Sequence, residues 1–187
     1  TVDWSSDVCS SDLPESVGEM IFVANPKGEF HLGGRIVPCA LGRSGVMAAD
    51  FKREGDGASP IGTWPIRRFL YRADRLQRPN TKLDLAAIGV QDGWCDASDD
   101  PLYNRPVTLP YPAGCENLWR EDGVYDLIGI LGHNDDPVIA GRGSAIFLHI
   151  ARPGYLPTEG CIALSLEHML EVMALAEPGS AIKIAVD

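Results

Sequence analysis

The chain has 187 residues, 45% hydrophobic and 22% charged, which suits one globular domain with a substantial core rather than a disordered chain. A net charge of −10 argues against a nucleic-acid surface or a patch for anionic membranes, and no apolar run reaches the roughly 20 residues of a membrane span. The 20 glycines and 14 prolines imply many turns and so a β-rich fold rather than a helical bundle.

Residues 1–13 stand apart. Ser5-Ser6-Asp7 and Ser10-Ser11-Asp12 repeat with little apolar content, and Asp7 to Leu13 is what a common sequencing-adapter oligonucleotide encodes in one frame. We expect a non-native or disordered segment there and a single domain over residues 14–187. No basic-plus-apolar signal segment stands at Thr1, so the start of the chain is expected to be processed or missing.

From Glu19 the pattern changes. Met20-Ile21-Phe22-Val23, Glu29-Phe30-His31-Leu32 and Arg35-Ile36-Val37-Pro38-Cys39-Ala40 read as strands of a meander, with turns at Asn25-Pro26-Lys27-Gly28 and Gly33-Gly34. His31 is expected on a strand surface. Residues 52–63 hold three glycines and a proline and read as a loop with demanding backbone angles. Its Gly-x-Gly precedes Ser-Pro rather than a helix, so a phosphate cradle is disfavoured. Trp64 to Tyr71 is a strand, and the basic stretch from Arg72 to Lys82 is expected to be a solvated face.

Residues 89–126 look irregular, which suits either a functional loop or a packed elaboration. Asp96, Asp99 and Asp100 lack the alternating spacing of a calcium loop, so no metal is expected. Val124 to Gly132 and Ala145 to Ile150 are buried strand candidates. Ser165 is placed to cap a helix whose apolar face is Leu166, Met169, Leu170 and Met173, ended by Pro178-Gly179, before a closing strand at 181–186.

The chemistry-bearing stretch is Phe147-Leu148-His149, then a Pro/Gly-rich loop, then Thr158-Glu159-Gly160-Cys161-Ile162. A thiol of ordinary pKa about 8.5 is only a few per cent thiolate at neutral pH. An imidazole that takes its proton makes it a nucleophile and can return that proton to a leaving amine. A strand end and a tight return loop can bring His149 and Cys161 together. Gly160 removes bulk beside the thiol, and backbone N–H groups near Cys161, expected close to a helix start, are possible oxyanion donors. Taken alone, such a histidine is more commonly a core or rim residue and such a cysteine a small hydrophobe. His133 is a rival base. Papain-like and NlpC/P60-like peptidases place cysteine before histidine, the reverse of the order here.

His149, the Pro/Gly loop and Thr158-Glu159-Gly160-Cys161-Ile162 resemble the signature of YkuD-type L,D-transpeptidase catalytic domains. Lys52-Arg53-Glu54-Gly55-Asp56-Gly57-Ala58-Ser59-Pro60-Ile61-Gly62 is similar to that family's Lys-x-Glu-Gly-Asp-Gly-x-Thr-Pro-x-Gly segment, and Gly93-Trp94-Cys95-Asp96 with Tyr103-Asn104 to one of its subgroups. The resemblance spans most of residues 19–186.

It implies a mainly β, sandwich-like fold with one helix in the C-terminal region and long loops. It implies an acyltransferase in which Cys161 forms a thioester with a peptidoglycan stem peptide, His149 moves the proton with its ring oriented by a backbone carbonyl, and Gly160 shapes the site. A second stem's amine then resolves the thioester. Water as acceptor would make a carboxypeptidase, and a non-catalytic wall-binding module is the alternative from another class. The implied compartment is outside the inner membrane, in periplasm or cell wall. No cofactor is implied, and nothing in the sequence sets an oligomeric state.

Two positions depart from the family pattern. Glu159 stands where histidine is frequent, and Ala163 where arginine is frequent, an arginine suited to a substrate carboxylate. Arg152, Arg142 or Arg43 must then supply that cation, with Thr158 and Trp94 as further substrate contacts. At most one pair among Cys39, Cys95 and Cys115 is expected to be bridged, and spacing does not choose it.

Overall fold

The structure, a computed structural model, describes residues 20–187. The segment set apart at 1–13 lies outside the described residues. The domain is mainly β. Its first three strands, β1 (Ile21–Ala24), β2 (Glu29–Leu32) and β3 (Arg35–Pro38), form the expected meander. Period-2 alternation buries Phe30 and Leu32 and leaves His31 exposed between them. Gly33 and Gly34 turn the chain with φ of 55° and 83°, a conformation that costs a residue with a Cβ.

A short strand β4 (Val46–Ala48) leads to β5 (Ser59–Tyr71), whose 13 residues organise the fold. The first half of β5 pairs with the closing strand β13 (Ala181–Ile184), and the second half pairs with β10 (Leu127–Leu131). One strand therefore belongs to both layers of the sandwich. Strand β5 starts five residues earlier than the glycine-rich composition suggests. Ser59-Pro60-Ile61 runs parallel to β4, and Trp64 Nε1 donates to the Pro60 carbonyl at 2.8 Å. Neither Pro60 nor Pro65 can donate to a ladder, but their carbonyls still accept, Pro65 from Gly132 N–H at 2.9 Å.

The sheet then runs in the order β12 (Ile162–Leu164), β11 (Phe147–Ile150), β10, β5, β13, β1, β2, β3, with β4 and β6 (Leu85–Ala87) attached to β5. Strand β1 lies parallel to β13 with Ile21 opposite Ala181 and Ala24 opposite Ile184. The two ends of the sheet meet: Ala40, just after β3, bridges Ala163 in β12 by two backbone bonds of 2.9 Å, and Gly42 bridges Thr158. The sheet is thus almost closed on itself.

Its main core joins both layers through Phe22, Phe30, Phe69, Leu127, Leu148, Ile162, Leu164 and Ile182. The helix α1 (Leu166–Leu175) adds Met169, Val172 and Met173. Ser165 caps it as its position predicts, accepting from His168 N–H at 3.2 Å. Helix α1 does not follow Cys161 directly, because the three apolar residues of β12 intervene.

Two further expectations are corrected. Residues 89–126 are not simply irregular: β7 (Asp92–Cys95), β8 (Pro106–Thr108) and β9 (Cys115–Asn117) form a separate antiparallel sheet in the order β8, β7, β9. It covers the outer face of β10 and β11, where Trp94 packs edge-on against Phe147 with centroids 5.2 Å apart. Nor is the whole basic stretch a solvated face. Arg72 is 2% exposed, lies 3.5 Å over the Trp119 ring, forks onto Asp74 with two bonds of 2.8 Å and donates to the Arg120 carbonyl. A buried guanidinium needs those partners.

Leu148 is fully buried at the centre of the main core. Leu148→Ala should cost about 3 kcal/mol in urea unfolding, whereas His31→Ala on exposed β2 should stay within about 0.5 kcal/mol. Similar small losses for both would contradict this placement of the core.

Candidate active site

Strands β11 and β12 run parallel, with Leu148 opposite Ile162, His149 opposite Ala163 and Ile150 opposite Leu164. Alternation sends Leu148, Ile162 and Leu164 into the main core. Phe147, His149, Cys161 and Ala163 then share the other face. His149 and Cys161 are one strand apart and two residues along, roughly 8 Å between Cα atoms by ordinary strand spacing. Both line a cavity of about 290 Å³.

Cys161 is held from three directions. Its Sγ accepts from Phe147 N–H at 3.4 Å and donates to the Ala145 carbonyl at 3.2 Å. The Thr158 hydroxyl donates to the Cys161 carbonyl at 2.7 Å and accepts from Gly160 N–H at 3.1 Å, a side-chain turn that fixes the loop just before the thiol. Gly160 has φ of 133°, and a Cβ there would come within 2.8 Å of the Ala58 carbonyl. Here glycine is required by both backbone conformation and space.

His149 Nδ1 lies 3.0 Å from the Ile150 carbonyl. A carbonyl only accepts, so Nδ1 carries the proton and Nε2 keeps its lone pair. Tyr125 packs edge-on against the ring at 5.5 Å, and its hydroxyl donates to Glu116 Oε2 at 2.9 Å. Burial pulls the His149 pKa down to about 4, the Ile150 bond opposes that, and the charges of Arg120 and Arg152 add to the lowering. Burial likewise pushes the Cys161 thiol up to about 12, reinforced by Glu116. The resting pair is a neutral thiol and a neutral imidazole. Among the described residues no hydrogen bond joins them, since the thiol proton is directed at Ala145.

The rest of the cavity wall mixes charges. Lys52, Arg120 and Arg152 face Glu54, Asp96, Glu116 and Glu159. Lys52 is buried, its Nζ 2.6 Å from Asp56 Oδ1 and 2.9 Å from the Arg53 carbonyl. Burial raises the Asp56 pKa, but its bonds to Lys52 and to the N–H groups of Ala58 and Arg53 more than offset that and leave it lowered. Glu54 Oε2 accepts from Tyr103 Oη at 2.5 Å and Ser144 Oγ at 2.7 Å. Residues 52–59 thus form a wall braced by their own charges.

A family model described as the YkuD L,D-transpeptidase catalytic domain matches residues 20–184. The chain belongs to the YkuD family. No curated protein and no solved structure matches it. In this YkuD domain the residues singled out from sequence divide by position. His149, Cys161, Thr158 and Arg152 all line the cavity, with Gly160 beside them. Trp94 and Arg142 do not. The Trp94 ring lies under Phe147, donates from Nε1 to Asn104 at 2.9 Å and borders a separate cavity of about 390 Å³. Arg142 turns away to the Asp50 carbonyl.

Arg43 pairs with Glu159 at the rim, Nε to Oε2 at 2.8 Å. The rival base His133 is buried against Trp64, with Nε2 donating to the Arg142 carbonyl at 3.0 Å, away from the cavity. Asp99 does not line the cavity, and Asp100 is engaged by Leu102 N–H and Tyr111. Among the described residues no group of three or more His, Cys, Asp or Glu side chains could hold a metal. Glu116, Arg120 and Tyr125 are among the cavity residues that sequence reasoning did not single out. They lie in a segment without periodicity, and only the fold brings them to His149.

Between pH about 4 and about 6.5 the unfolded chain protonates this histidine while the folded one does not. Stability therefore falls as pH drops through that window, by about 3 kcal/mol at most. His149→Gln removes that contribution, so urea unfolding should show wild type losing more stability than the variant from pH 7 to pH 4. Equal losses would contradict a neutral buried imidazole. Gly160→Ala should lower stability by about 2 kcal/mol through the strained φ and the Ala58 contact, read from the urea midpoint.

Proposed function

We propose that this YkuD domain is a cysteine-dependent L,D-transpeptidase acting on peptidoglycan stem peptides. The observation that carries the proposal is the pairing on one cavity face of the Cys161 thiol with an imidazole whose Nδ1 proton is tied to a backbone carbonyl. Cys161 Sγ attacks the carbonyl carbon of the L,D amide while its proton passes to His149 Nε2. The imidazolium then protonates the departing amine of the terminal D-residue, leaving a thioester on Cys161. The amine of a second stem attacks that thioester, His149 takes its proton, and the thiol returns with a new amide bond formed.

Gly160 N–H is committed to Thr158, which leaves the Cys161 N–H as the nearer backbone donor for the oxyanion. With Ala163 in place of an arginine, Arg120 and Arg152 are the cavity guanidiniums suited to a stem carboxylate. Arg120 is braced by Asp122 at 2.5 Å and lies 5.0 Å over the Tyr125 ring. The acidic lining from Glu54, Asp96, Glu116 and Glu159 favours a cationic amine as acceptor over water.

A peptidoglycan substrate implies export to the periplasm or cell wall. No described helix is long and apolar enough to cross a membrane.

Intact-protein mass spectrometry after incubation with a stem tetrapeptide or a carbapenem tests the proposal. The wild-type chain should gain the mass of one acyl group, and Cys161→Ala should gain none. A folded wild-type domain that is never acylated by either would leave a non-catalytic wall-binding module. Release of the D-residue without cross-linked product in the presence of amine acceptor would make it a carboxypeptidase.

A further inference from the structure

Cys95 on β7 and Cys115 on β9 are direct partners in an antiparallel ladder. The bonds around them define the kind of pair. Asp96 N–H donates to the Gly114 carbonyl at 3.1 Å and Leu118 N–H to the Asp92 carbonyl at 2.9 Å. Positions 96/114 and 92/118 are therefore hydrogen-bonded pairs, and by alternation 95/115 is a non-hydrogen-bonded pair. Such pairs hold their Cα atoms about 4.5 Å apart with both side chains on one face. A disulfide takes Cα separations of about 4.4–6.8 Å.

Both thiols are reduced in the structure. Of the other described cysteines, Cys39 is buried in the main core and Cys161 lies in the catalytic cavity.

We propose that Cys95 and Cys115 are a redox pair that closes to a cross-strand disulfide, locking β7 to β9 beside the cavity. The co-reactant is a disulfide, either of a small thiol or of a protein oxidase. Cys115 is half-buried and Cys95 fully buried, so Cys115 is the entry point. Its thiolate attacks the co-reactant, forms a mixed disulfide and expels one thiolate. The Cys95 thiolate then attacks Cys115 Sγ and expels the second. Two protein thiols are oxidised, one disulfide is reduced to two thiols, and the two protons released by the cysteines go to the leaving thiolates.

The new bond joins the residue next to Asp96 to the residue next to Glu116, both cavity-lining. It fixes their separation without touching Cys161 or His149. An exported domain would meet an environment in which such a bond persists.

The full chain, equilibrated with reduced and oxidised glutathione at an oxidising ratio, is blocked with N-ethylmaleimide under denaturing conditions. It is then digested with chymotrypsin, which cuts between the two cysteines after Tyr103. The expected result is a linked peptide pair carrying Cys95 and Cys115, from protein lighter by two hydrogens, with both thiols recovered by dithiothreitol. Cys115→Ala should lose the linked pair and leave Cys95 open to N-ethylmaleimide. Full labelling of both residues in the oxidised wild type would overturn the proposal. So would glutathione retained on Cys115, or a link from either residue to Cys39 or Cys9. Acylation of Cys161 is not a readout here, so the two proposals stand or fall separately.

Discussion

The geometry of the thiol rests on the closure of the sheet. Backbone bonds pair residues 40–43 with residues 158–163: Ala40 with Ala163 in both directions at 2.9 Å, Thr158 N–H with the Leu41 carbonyl at 2.9 Å, and Arg43 N–H with the Thr158 carbonyl at 2.8 Å. A third segment presses in behind them. Gly42 N–H donates to Ser59 Oγ at 2.9 Å, and a Cβ on Gly42 would come 2.3 Å from the Gly57 carbonyl. Three stretches distant in sequence thus meet at backbone contact, with no side chain possible at Gly42 or Gly160. Contacts of this kind reward the chain only after long loops have closed. The cavity is therefore completed with the global fold rather than by any local element.

Electrostatics follow from the same burial. A charged thiolate beside a charged imidazolium would be costly where both groups are 8% exposed or less. The structure keeps them neutral, the thiol proton on the Ala145 carbonyl and the Nδ1 proton on the Ile150 carbonyl. In the proposed mechanism charge appears on the imidazole only as the thiol attacks, and a bound substrate excludes the water that would otherwise compete. Arg120 and Arg152 add to the field that keeps His149 neutral, so the cations suited to substrate carboxylates also bear on the base.

Local signals made much of this visible in the sequence. Alternation at Phe30, His31 and Leu32 and the Ser165 cap needed only period and chemistry. His149, Gly160 and Cys161 stand out because a strand end, a Pro/Gly-rich loop and a Thr-x-Gly-Cys turn follow one another within 12 residues of His149. What local patterns could not show was long-range pairing. Strand β5 begins inside a glycine-rich stretch because β4 and β13 are there to pair with it. Arg72 is buried because Trp119 and Asp74 receive it. Trp94 and Arg142 carry side chains suited to a ligand, yet packing under Phe147 and the Asp50 carbonyl take them away from the cavity. Glu116, Arg120 and Tyr125 reach His149 only through the small sheet and the turn that follows it.

The parallel pairing of β1 with β13 has a mechanical consequence. The domain's first and last described strands are neighbours, Ile21 beside Ala181 and Ala24 beside Ile184. The chain enters at one end of that ladder and leaves at the other. Tension between the two termini acts along the strands and loads the β1–β13 bonds in shear, so they share the force instead of opening one at a time. An anchor on each side of this domain would pull on its strongest axis, while the cavity, built at the opposite seam between β3 and β12, lies off the line of force.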